Sequence, residues 1–175
     1  MAATRGGSGS TTVAPVSDPE TPGAGVVEAV RALSHRIFDD FVFEPSLADV
    51  STPLAEVLAH RRGVYQDFAH TAVAAVRSDG VPARYVSGYI ETIPLPGQPR
   101  LVGFDASPAW CSVWAGDLGW LDFDPTNDQM PPQRHLTVGW GRDYDDVAPV
   151  RGVVIGPACS QSLTVSVDVT EIVAS

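Results

Sequence analysis

The chain has 175 residues, 44 % of them apolar, enough for one ordinary domain with its own core and too few for two comfortable ones. Its formal net charge is -10, which disfavours nucleic acid and anionic membrane surfaces as partners, since both reward clustered basic side chains. All basic residues apart from histidine are arginine, so no Schiff base on a lysine amine can form in this protein.

Residues 1–24 are Ala, Gly, Ser, Thr and Pro with little else apolar, and read as a flexible lead to a domain over 25–175. Val26, Val30, Leu33 and Ile37 then follow helical spacing, predicting an amphipathic helix that ends before Phe41, with a turn at Glu44-Pro45-Ser46. Ser51-Thr52-Pro53-Leu54-Ala55-Glu56 places hydroxyls, a proline and a carboxylate where a helix start favours them, predicting a short helix to about His60. Arg61-Arg62-Gly63 breaks it. Val64, Phe68, Ala72 and Val76 form the apolar stripe of a central helix to about Ser78, whose far side carries Ala69, Ala74 and Ala75 for close packing.

After Pro82 the texture becomes extended. Strands are predicted over 84–92, 109–114, 119–123 and 134–140, and the alternation of Leu163, Val165, Val167 and Val169 predicts another. The prolines of 93–99 demand a loop, and Asp124-Pro125-Thr126-Asn127 a turn. Helices first and strands afterwards give an α+β domain, with helices packed on an antiparallel sheet. The four tryptophans, with Tyr85 and Tyr89, fall in this half, where most are expected in the core and one or two along an apolar pocket.

No apolar run approaches the roughly 20 residues that span a bilayer, and residues 1–10 lack the apolar stretch of a secretion signal, so a cytoplasmic setting is expected. Cys111 and Cys159 are too few for a disulfide framework or a zinc site of four sulfurs. His35, His60, His70 and His135 are scattered without metal-ligand spacing, and there is no glycine-rich phosphate loop. Neither a metal nor another cofactor is expected.

Three stretches together resemble the bacterial transglutaminase-like family: Gly63-Val64-Tyr65-Gln66-Asp67-Phe68-Ala69-His70, then Gly80-Val81-Pro82-Ala83-Arg84-Tyr85-Val86-Ser87-Gly88-Tyr89, then Asp105-Ala106-Ser107-Pro108-Ala109-Trp110 with Gly119 to Asn127. The resemblance covers about residues 26–170 and implies the papain-type α+β core. It also implies that the β-rich domain preceding this core in longer members is absent. The family's activity rests on a Cys at the start of the central helix, a His on a neighbouring strand that takes the thiol proton, and an Asp that orients that His. Laid on this sequence, the Cys position is Tyr65, the His position is Pro108, and the Asp survives as Asp124.

Cys111 does not replace the thiol, because an odd offset along the strand turns it to the face opposite residue 108. His70 lies about 140° around the helix from Tyr65 and should not share its cavity. What remains is Tyr65 as a proton or hydrogen-bond donor, whose anion the helix's positive end would favour, and Asp124 as a base or anchor. Gln66, Asp105, Ser107, Pro108 and Trp110 are the residues expected to meet a substrate.

Two functions follow. One is a repurposed enzyme that cyclises or isomerises an apolar small molecule of a natural-product pathway by non-covalent acid/base or template catalysis. The other is a catalytically inactive binding or regulatory module in which Tyr65 plugs the former site.

Overall fold

The computed structural model describes residues 22–45, 52–91, 108–131 and 134–148, together with residues 152, 167 and 169. The chain runs α1 (Pro22–Asp40), β1 (Val42–Phe43), α2 (Leu54–His60), β2 (Arg62–Gly63), α3 (Tyr65–Ser78), β3 (Ala83–Ile90), β4 (Ala109–Trp114), a 3-10 turn (Gly116–Leu118), β5 (Trp120–Phe123), β6 (His135–Gly141) and α4 (Tyr144–Val147). The four longer strands form one antiparallel sheet in the order β5-β4-β3-β6. β1 and β2 make a separate two-residue parallel pair.

α3 is central because its apolar stripe lies on the sheet. Phe68, Ala72, Val73 and Val76 pack with Ala83, Cys111, Val113 and Phe123, while Val30 and Ile37 bring α1 against the same core. At the far end of α3 the Arg77 guanidinium donates twice to the Ala83 carbonyl, at 3.0 and 2.9 Å, tying the helix end to the start of β3. Ala69 is fully buried beside Tyr85 and Ala109, but Ala74 is exposed and Ala75 only half-buried. Only one of the three small residues is therefore used for close packing.

Several boundaries differ from the expectation for local reasons. α1 begins at Pro22, because proline's fixed φ suits a first helical turn that needs no amide donor there. α2 starts after Pro53, and no side chain caps it. The break after α2 is made by Arg61, in the left-handed region at φ 50°, and not by Gly63. Gly63 is needed for space, since a Cβ there would collide with the Asp67 carboxylate. That carboxylate accepts the Val64 N–H at 2.9 Å and so closes the first turn of α3. α4 follows Asp143 and was not anticipated. The loop over 93–99 and the predicted strand over 163–169 lie outside the described residues, apart from the isolated positions 167 and 169.

The tryptophans do not all enter the core. Trp110 is fully buried, whereas Trp114, Trp120 and Trp140 keep 42 %, 40 % and 59 % of their surface exposed. They sit on the sheet face opposite α3. There, alternation places them in step with Arg84 and Trp110, while Ala83, Tyr85, Cys111 and Val113 point to the helix.

Candidate functional site

The site forms where the start of α3 meets the turn after β5. Asp124 leaves β5 fully buried, and the chain closes on itself as the Asp124 N–H donates to the Gln129 carbonyl at 2.7 Å and the Gln129 N–H returns to Asp124 at 3.1 Å. Within this turn one carboxylate oxygen accepts the backbone N–H groups of Thr126 and Asn127, at 2.9 and 3.1 Å. The other accepts the Asn127 side-chain amide at 2.7 Å and lies 2.9 Å from Nε2 of His135. Asp124 thus has a histidine partner, supplied by β6 and not by residue 108.

If the ring is neutral and its Nε2–H is the group that meets Asp124, Nδ1 of His135 is its acceptor nitrogen. That Nδ1 is buried and has no hydrogen-bond partner among the described residues. The imidazole is enclosed, with 4 % of its side chain exposed, and stands edge-on to Trp110 at a ring separation of 5.0 Å. Trp110 is itself pinned by its indole N–H, which donates to Asp122 at 3.1 Å. Gly88 makes this stacking possible, because a Cβ there would strike both the Trp110 ring and the Leu136 carbonyl. The β3/β6 register shifts at that same glycine.

Tyr65, the first residue of α3, is half-buried, and its ring packs edge-on against Phe43 at 4.8 Å. Asn127 and Asp124 both act on its hydroxyl electrostatically, and the Asn127 side-chain amide donates to Asp124 at 2.7 Å. Burial, and after it the Asp124 charge, holds the phenol above its ordinary pKa, with Asn127 pulling the other way. The helix terminus does not overcome these effects, and Tyr65 is a neutral donor at physiological pH. The anion favoured by position alone is not formed.

The other expected residues divide. Gln66 is half-buried beside Tyr65. Pro108 is buried and accepts the Gly88 N–H through its carbonyl at 3.3 Å, so it shapes the wall below Trp110. Asp105 and Ser107 lie outside the described residues. Cys111 is buried in the core on the α3 side, its thiol directed at the Phe123 carbonyl at 3.4 Å, and burial pushes its pKa far up. It is chemically silent. His70 turns to α4, where Nε2 accepts the Tyr144 N–H at 3.2 Å, and its ring lies 4.7 Å from Tyr85.

Sequence reasoning missed His135 and Asn127. Asn127 carried only the signal of its place in the Asp124-Pro125-Thr126-Asn127 turn, where the Asp124 carboxylate bonds backbone N–H groups. His135 carried none, since nothing local ties it to Asp124, 11 residues earlier. Among the described residues no three His, Cys, Asp or Glu side chains gather as a metal site. A cleft of about 740 Å³ lies between α1 and the 128–130 turn, and another of about 370 Å³ between α2 and the start of α3. Neither is lined by Tyr65, Asp124 or His135.

A helical layer led by α3 on an antiparallel sheet, with residue 65 at the helix start and Asp124 in the turn after β5, is the architecture of a transglutaminase-like domain. Residues 10–125 match the family model of the transglutaminase-like superfamily, and the chain belongs to that family. It is 46 % identical over 160 residues to an uncharacterised protein of Mycobacterium tuberculosis strain H37Rv, covering 89 % of this chain and 50 % of that protein. A protein-glutamine gamma-glutamyltransferase of Pseudomonas aeruginosa is 37 % identical over 76 residues, 42 % of this chain and 11 % of that enzyme. The crystal structure of a candidate cysteine protease from Cytophaga hutchinsonii superposes with a TM-score of 0.57 at 25 % identity, covering 70 % of this chain and 38 % of that one. The chain spans about half the length of the mycobacterial relatives it matches. Among the described residues no helix is long and apolar enough to cross a membrane.

Proposed function

We propose that this domain is a repurposed transglutaminase-like enzyme that works by acid/base chemistry without a covalent enzyme intermediate. It replaces the family's nucleophilic Cys with Tyr65 and its strand His with Pro108. Tyr65 is the proton donor, His135 the proton acceptor through Nδ1, and Asp124 the group that positions His135. The substrate is an apolar small molecule of a bacterial natural-product pathway in the cytoplasm, held by Gln66, Asp105, Ser107, Pro108 and Trp110 and cyclised or isomerised. One proton leaves the substrate to Nδ1 and one arrives from the Tyr65 hydroxyl, so substrate and product are isomers and the enzyme recovers by proton exchange.

The observation that supports this reading is the Nδ1 of His135, which has no hydrogen-bond partner among the described residues, on a ring held by Asp124 at 2.9 Å; because that nitrogen is enclosed and neither cleft reaches it, the proton transfer requires the site to open around it. Leaving a buried acceptor unsatisfied costs about 1–3 kcal/mol, a cost that a ligand hydrogen bond at that atom would remove. Asp124, with both oxygens already filled, is better suited to anchoring than to accepting a substrate proton.

The second reading, an inactive binding or regulatory module, is favoured by the Tyr65 ring resting edge-on against Phe43 and by its absence from both clefts, as a plug would be. Metabolite comparison separates the two. In a strain lacking the gene, restored with wild type or with Tyr65→Phe, the enzyme reading expects the variant to accumulate a compound and lose an isomer of it at unchanged protein level and Tm. Full restoration by Tyr65→Phe would sink the enzyme reading and favour the module.

A further inference from the structure

On the sheet face opposite α3, Arg84 of β3 lies between two tryptophans. Its guanidinium carbon is 4.4 Å from the ring centre of Trp120 on β5 and 4.4 Å from that of Trp140 on β6. Trp114 of β4 extends the row, edge-on to Trp120 at 5.7 Å. All three rings are substantially exposed, an uncommon concentration of open tryptophan surface among the described residues.

The arginine is equally unusual. The chain carries 21 acidic residues against 11 basic ones, yet among the described residues no carboxylate pairs with Arg84, and its Nε is buried without a hydrogen-bond partner. Rings on both faces of a guanidinium immobilise it, and because Nε is enclosed only the terminal nitrogens at its end remain for an outside acceptor. A planar fork already fixed in place suits a carboxylate, because little side-chain entropy remains to be lost on pairing.

We propose that Arg84 with Trp114, Trp120 and Trp140 forms a docking surface for an acidic peptide segment of a partner protein. A Glu or Asp carboxylate pairs with the terminal nitrogens of Arg84, and neighbouring apolar side chains lie on the exposed indoles. Charge selects this occupant. The protein's overall negative charge opposes a polyanion as large as a nucleic acid, while one fixed, unpaired cation between apolar plates fits isolated carboxylates alternating with apolar residues. The surface is distinct from the Tyr65 site and does not depend on that site's chemistry.

The probe is a blocked hexapeptide of alternating Glu and Leu, titrated into the protein by calorimetry and by tryptophan fluorescence. Saturable binding is expected, weakening several-fold as salt rises from about 50 to about 300 mM. Arg84→Gln should weaken it by roughly tenfold to a hundredfold, the range for a hydrogen bond to a charged group, and Trp140→Ala by several-fold. Arg84→Lys, which keeps the charge and loses the fork, should fall between wild type and Arg84→Gln. Trp140 is exposed enough that its removal leaves the fold intact, which a Tm within about 3 °C of wild type would verify. The proposal is overturned if the peptide does not bind, if a Gln-Leu peptide binds equally well, if Arg84→Gln binds as wild type, or if the tryptophans instead mediate self-association that Trp140→Ala abolishes.

Discussion

Replacing Asp124 by Asn exchanges one oxygen for an NH2 group in a side chain that is fully buried and accepts four hydrogen bonds. The new carboxamide has one acceptor oxygen and one donor nitrogen, so two of the four donors lose their acceptor. The backbone amides of Thr126 and Asn127 cannot adapt and should keep the oxygen. The nitrogen then faces His135, which can adapt by moving its proton to Nδ1 and accepting at Nε2. One donor, Nδ2 of Asn127, is left stranded, at about 1–3 kcal/mol, and the charge-assisted character of the remaining bonds is lost for about 1 kcal/mol more. The expected destabilisation is about 2–4 kcal/mol against a total of about 5–15, lowering Tm by roughly 5–15 °C. Urea unfolding followed through the buried Trp110 measures it. A change below about 0.5 kcal/mol would refute the hydrogen-bond assignment around Asp124.

Two further outcomes follow from burial. In a Cys159→Ser background, native protein should not react with a thiol reagent, and the unfolded chain should take up one equivalent at Cys111; rapid native labelling would contradict the buried-thiol placement. Tyr65, Tyr85 and Cys111 all have pKa values raised above those of the unfolded chain, mainly by burial. Their stabilising contribution is complete below the unfolded values, about 8.5 for Cys and about 10 for Tyr, and is lost as pH climbs toward the folded ones. Denaturation midpoints should therefore fall steadily above about pH 9; a flat profile to pH 11 would contradict the burial of these groups.

The helices and strands were legible because each buries one regular face. Val30, Phe68, Ala72 and Val76 recur at helical spacing, and Ala109 to Trp114 reads as a strand in full. The positions of Tyr65 and Asp124 were legible through family resemblance and their places at a helix start and a turn. His135 was not, because it reaches Asp124 through the tertiary fold and leaves no local pattern. Nor was the exposed tryptophan row, since composition places tryptophan in cores by default and only the strand pairing shows that Arg84, Trp114, Trp120 and Trp140 share the face opposite α3. The helix break expected over Arg61-Arg62-Gly63 is made by Arg61 in the left-handed region, while Gly63 provides clearance around Asp67.

The claim on which the account stands is that His135 presents a free acceptor nitrogen while Asp124 holds its other one. Long-range proton-nitrogen correlation of the imidazoles, in nitrogen-labelled protein at mildly alkaline pH, reads the tautomer directly. The account predicts the Nε2–H form for His135 in wild type, switching to Nδ1–H in Asp124→Asn. An Nδ1–H tautomer in wild type, or no change on substitution, would remove the proton acceptor and with it the acid/base site.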